Sequence, residues 1–144
     1  MSKTAQYRLF TVLIGANLAL IWGNSALPAD TSGAISGWVL ELLRFLPHSE
    51  LAHTILRKIG HFSEFACLGL LTGWFLFVRR DTISWHLLGF GLAVACVDET
   101  IQAFVPGRGP SIFDVWIDTA GFSVGLIIVS IGYTIIKHKK IWRN

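Results

Sequence analysis

Four long apolar runs organise the chain, from about Tyr7 to Trp22, Ile55 to Val78, Ile83 to Val105 and Ile112 to Ile136. Each of the last three is long enough to cross roughly 30 Å of hydrocarbon at about 1.5 Å per residue of helix. The first is shorter and is broken by Asn17. It follows Lys3 and Arg8 and precedes Asn24-Ser-Ala-Leu-Pro-Ala-Asp30, the order of a secretory leader. No clean small-x-small cleavage site follows it, so a retained first helix is expected.

Between the first two runs lies the stretch from Ser25 to Glu50. Within it Ile35, Trp38, Val39, Leu42, Leu43 and Leu46 recur at helical spacing, with Glu41 and Arg44 elsewhere. The stretch is too short and too charged to span. It reads as an amphipathic interfacial or re-entrant helix stopped at Pro47. The pattern therefore predicts an all-α membrane protein: four transmembrane helices, with an amphipathic interfacial helix between the first and second. At 144 residues it forms one domain, residues 1–144.

Composition agrees with the pattern. Hydrophobic residues make up 53% of the chain and charged ones 15%, against about a quarter charged in soluble domains. Mean hydropathy is +0.58. The net charge of +3 does not point to nucleic acid, because the basic residues sit mostly in short loops and tails, where they set topology. Lys3 and Arg8 flank the start, Arg79 and Arg80 separate the second and third runs, and Lys137, Lys139, Lys140 and Arg143 end the chain. With four spans all three clusters fall on one side, so both termini are expected in the cytoplasm and the Pro106-Gly-Arg-Gly-Pro-Ser111 turn outside. Cys67 and Cys96 lie in apolar runs and are expected to be buried, unpaired thiols. Gly69-Leu-Leu-Thr-Gly73 and Gly121-Phe-Ser-Val-Gly125 are small-xxx-small patterns, which serve packing within a chain and between chains equally; the oligomeric state stays open.

The remaining charges are out of place in such helices. Arg57, His61 and Glu64 fall on one face of the second run, with Lys58 beside them. Asp98 and Gln102 are one turn apart on the third, with Glu99 about a quarter-turn away. Asp114, Asp118, Gly121 and Gly125 form one stripe on the fourth. Counted from the outer ends of the runs, His61, Asp98 and Asp118 lie at a common depth of about 10 Å, with Arg108 capping them from the turn. One charge at a helix centre costs about 2.5–3.5 kcal/mol even on insertion scales. These groups are therefore expected to face one another or a wet pocket, the bases Arg57, Lys58 and Arg108 offsetting five of the nine acids of the chain. Local readings stand beside this one. Ser111-Ile-Phe-Asp114 is also a capping-box pattern, Lys58 also suits snorkelling to outer headgroups, and a purely structural polar network is the alternative for the rest.

Taken together, these residues resemble the VanZ-like family of small bacterial membrane proteins. The matching pieces are Arg57-Lys-Ile-Gly-His61-Phe62 with Glu64-Phe65, then Asp98-Glu-Thr-Ile-Gln102-Ala-Phe104-Val-Pro106-Gly-Arg108, then Asp114-Val-Trp-Ile-Asp118-Thr-Ala-Gly121 with Gly125. The resemblance is strongest over residues 50–130. Phe65 and Asp118 stand near positions where the family often has tyrosine and asparagine. The resemblance implies a multi-pass protein of the bacterial inner membrane, and its founding member is associated with resistance to the lipoglycopeptide teicoplanin.

Three functions fit the residues. In the first, the outward pocket binds membrane lipid or a lipid-linked cell-wall intermediate, through Arg57, Lys58, His61, Glu64, Asp98, Glu99, Gln102, Arg108, Asp114 and Asp118, with bases toward phosphate and acids toward amine or hydroxyl groups. In the second, an intramembrane enzyme uses His61, Glu64, Asp98, Glu99 and Asp118 as acid and base groups, or as hard ligands for a divalent ion. No nucleophile motif such as GxSxG, HExxH or a P-loop is present. The spacing His61-x-x-Glu64 is too common to name a metal, and no cofactor or nucleic-acid partner is indicated. In the third, a proton-coupled carrier, the acids would relay protons, but Phe75-Leu-Phe-Val78 closes the inner half of the second run.

Overall fold

The computed structural model describes residues 2–42, 49–80, 82 and 84–141. Among these, five helices follow one another and no strand occurs: α1 (Lys3–Ser25), α2 (Ala29–Leu42), α3 (Glu50–Arg80), α4 (Leu87–Ala103) and α5 (Ile112–Ile141). Three are long and apolar enough to cross a membrane, namely α1, α3 and α5 over Ile112–His138.

The helices depart from the apolar runs at places with local causes. α1 outlasts its run at both ends. Ser2 caps its start by accepting from the Ala5 backbone N–H at 3.2 Å, and the helix passes through Asn17, which is buried in the bundle rather than breaking the turn. α3 begins before Ile55 because Ser49 Oγ accepts from the Ala52 N–H. α4 is shorter than the expected run from Ile83 to Val105. At 17 residues it rises roughly 26 Å. At its end, Phe104 and Val105 donate to carbonyls three residues back; Pro106 then has no N–H, and Gly107 adopts φ 75°, a left-handed conformation that favours glycine. Ile83 lies outside the described residues.

α2 does form between the first two long helices. Its expected continuation through Leu43, Arg44 and Leu46 to the stop at Pro47 lies outside the described residues. The face that meets the protein is the small polar one. Ser32 and Ser36 are buried, whereas Ile35, Trp38 and Leu42 are exposed. Ser36 Oγ bonds His53 Nδ1 on α3 at 2.8 Å, and the Ala29 N–H donates to Pro106 O in the α4–α5 turn at 3.4 Å. The apolar stripe is thus left facing outward.

α3 and α5 pack face to face through their glycines. A Cβ on Gly69 would stand 2.2 Å from Phe122 O, and one on Gly125 would stand 2.2 Å from Ala66 O. Both small-xxx-small patterns are therefore used within the chain. α1 and α4 close around this pair over a core of Ile21, Phe65, Leu68, Val94, Ala95, Phe122 and Leu126. The cysteines correct an expectation. Both are unpaired, but Cys67 and Cys96 are exposed on the outside of the bundle, because the buried stripe of α3 runs through Phe65, Leu68, Gly69 and Thr72 and that of α4 through Val94, Ala95 and Asp98.

The two ends of the bundle differ in chemistry. At one end the Tyr7 ring meets Phe75 at 6.3 Å and Phe77 meets Tyr133 at 5.5 Å. The start of α1 and the ends of α3 and α5 come together there, with Arg8, Arg79 and Lys137 close in sequence. The end of α1, the end of α4 and the start of α5 gather at the opposite end.

Candidate functional site

At that opposite end the polar residues of four helices meet at one level. Asp98 and Asp118 have no exposed surface, and Glu99, Gln102 and His61 are buried with them. His61 Nδ1 stands between two carboxylates, 3.7 Å from Asp98 Oδ2 and 3.9 Å from Asp118 Oδ1. Both separations are longer than a hydrogen bond. Gln102 supplies the organising contacts, donating from Nε2 to Asp98 Oδ2 at 3.0 Å and to Glu99 Oε1 at 3.1 Å; Ser25 Oγ lies 3.5 Å from the same nitrogen. The other Glu99 oxygen accepts from the Ser111 backbone N–H at 2.6 Å. One amide and one helix start thus hold two adjacent acids.

The level has an apolar floor. One helical turn inward from Ser25, His61, Asp98 and Asp118 stand Ile21, Phe65, Val94 and Phe122, all of them core residues. Each helix repeats the same step from polar to apolar, so the polar level is closed on its inner side.

The remaining predicted site residues surround this centre. Arg57 and His61 line two cavities at once. One, about 300 Å³, lies against α2 and is walled by Ile35, Val39, Leu56 and Ile59, with Asn24, Arg57, His61 and Glu64 as its polar side. The other, about 170 Å³, is lined by Thr54, Arg57, Lys58, His61, Asp114, Ile117 and Asp118. Lys58 pairs with Asp114 across α3 and α5. Asp114 also donates its backbone N–H to Ser111 Oγ at 3.3 Å, so the capping reading and the cross-helix reading hold together. Arg108 reaches Ser25 O at the end of α1 at 3.5 Å, where the helix dipole is negative. Burial lowers the pKa of its guanidinium, and the like charge of Arg57 adds to this. Two cations therefore converge on one region.

All ten expected binding residues lie at this end of the molecule, but the pairing differs from the sequence pattern. Glu64, one turn from His61 along α3, takes a hydrogen bond from Asn24 Nδ2 at 3.1 Å, while His61 itself stands beside carboxylates from α4 and α5. Asn24 and Ser25 were not anticipated as site residues. The available signal was their position as a polar pair at the exit of the first apolar run.

The family model of VanZ/LLP1 matches residues 10–135. This match covers most of the chain, including the greater part of α1, and the chain belongs to that family. No curated protein and no solved structure matches the sequence.

Proposed function

From membership of the VanZ/LLP1 family as premise, we propose that this protein is a four-span protein of the bacterial inner membrane. In this reading both termini are cytoplasmic, and an outward-facing cavity holds the headgroup of a lipid or a lipid-linked cell-wall intermediate. The observation that carries the proposal is the amphiphilic cavity between α2 and α3. Ile35, Val39, Leu56 and Ile59 suit an acyl or prenyl chain, while Arg57, His61, Glu64 and Asn24 suit a charged headgroup. The apolar outer stripe of α2 suits a helix lying in the headgroup region. α4 completes the fourth crossing, with the turns at its two ends making up the difference between roughly 26 Å and the hydrocarbon thickness. The basic clusters at one end of the bundle support a cytoplasmic position for that end, by the positive-inside rule. Holding a lipid-linked wall intermediate would alter how a lipid-tailed glycopeptide of the teicoplanin type meets its target, which is the route to a contribution to resistance.

The second reading, an intramembrane enzyme acting on the same class of lipid, is favoured by the buried His61 set between Asp98 and Asp118. The apolar floor beneath the polar level speaks against a proton-coupled carrier. Lipid profiling separates the first two readings, using cells that carry the protein, lack it, or carry Asp98→Asn. Binding alone leaves the chemical identity of every lipid and wall precursor unchanged, and Arg108→Lys keeps most of the protective effect. A new or missing lipid species that reverts with Asp98→Asn would overturn binding in favour of catalysis.

A further inference from the structure

Asp118 is fully buried, yet both of its carboxylate oxygens and His61 Nδ1 lack a hydrogen-bond partner among the described residues. An unpartnered buried carboxylate is expensive in any protein and more so in a bilayer. Lys58 lines the same cavity as Asp118, but it is paired with Asp114. Ligand atoms of His61, Asp98 and Asp118 all lie within 4.8 Å of one another. An ion bonded at about 2.1 Å to three such atoms needs them roughly 3.4 Å apart in tetrahedral geometry. The two His61–carboxylate separations, 3.7 and 3.9 Å, require a contraction of a few tenths of an ångström, and the two carboxylates, within 4.8 Å of each other, have to close by up to about 1.4 Å.

Charge balance points the same way. In formal charge, the five acids Glu64, Asp98, Glu99, Asp114 and Asp118 outnumber the three bases Arg57, Lys58 and Arg108 by two at this level. A divalent cation offsets that excess.

We infer that His61, Asp98 and Asp118 form a binding site for a divalent transition-metal ion of the Zn²⁺ or Mn²⁺ type. One imidazole with two carboxylates is a mixed nitrogen–oxygen set that suits these ions over the all-oxygen preference of Ca²⁺ and Mg²⁺. Gln102, bonded to Asp98 Oδ2, fixes the orientation of one ligand in the way outer partners of metal sites do. Three protein ligands leave further coordination positions. His61 and Asp118 both line the 170 Å³ cavity, so those positions open toward it and toward Arg57. The inference does not rest on the lipid reading, and its test uses ions alone.

The full chain, purified in detergent and stripped with a chelator, is loaded with Zn²⁺ or Mn²⁺, desalted and assayed for bound metal by mass spectrometry. About one ion per chain is expected. Asp118→Asn and His61→Ala should weaken uptake at least tenfold, since even outer partners of such sites shift affinity 10–100-fold, while Glu41→Gln should not change it. Pulsed electron paramagnetic resonance of bound Mn²⁺ in the wild-type protein should show coupling to one imidazole nitrogen, a readout that needs no variant to fold. Folded wild-type protein that retains neither ion, an equal uptake by folded Asp118→Asn, or bound Mn²⁺ with no nitrogen coupling would each overturn the inference.

Discussion

Gln102 is the residue on which the buried acids depend, because its single amide serves Asp98 and Glu99 together. Gln102→Leu leaves both carboxylates without that donor. Bonds to charged acceptors are worth about 1.5–3 kcal/mol each, so for the two bonds a loss of roughly 3–6 kcal/mol is expected, read as a lower melting temperature in detergent. A melting point equal to wild type would contradict this role. The spacing Asp98, Glu99, Gln102 was legible in the sequence, since residues three and four apart share a helix face. The bond from Asn24 to Glu64 was not, because it joins positions 40 residues apart and no periodicity within one helix encodes a partner on another. The same reason hid the Lys58–Asp114 pair, where each residue had a sufficient local explanation.

At the scale of the element, the contact between α3 and α5 sets the position of His61 against Asp118. Its closeness depends on glycine at Gly69 and Gly125, where an added Cβ would meet backbone oxygen. Gly125→Ala is expected to destabilise by about 1–3 kcal/mol through overpacking. Gly15→Ala on α1, where nothing lies within 4 Å of the added carbon, is expected to be neutral or to stabilise by up to about 1 kcal/mol through helix propensity. Thermal unfolding in detergent compares the two, and equal melting points would refute the close-contact account. The small-xxx-small patterns announced tight packing in the sequence, and the fold shows which helices use them. Helix existence was legible throughout, but ends were not: α1 was extended at its start by the Ser2 cap, and α4 begins only after His86 and gives up Phe104 and Val105 to the turn at Pro106-Gly107. The outward face of Cys67 and Cys96 was illegible for a different reason. In a helix that is apolar all round, hydropathy does not mark which side is the core.

For the whole molecule, the basic ends and the polar level lie at opposite poles of one bundle. With Cys67 and Cys96 replaced by alanine, a cysteine at Gly109, an exposed position with open space around it, should react with an impermeant maleimide in intact cells. A cysteine at Lys137 should react only after permeabilisation, and the reverse pattern would invert the proposed orientation. The most direct test of the headgroup-binding account is native mass spectrometry of the protein released from mild detergent. One amphiphile should remain bound per wild-type chain through repeated detergent exchange, and its occupancy should fall severalfold in Arg57→Ala, which removes the cation shared by both cavities. Folded wild-type protein that sheds every lipid as readily as Arg57→Ala would contradict it.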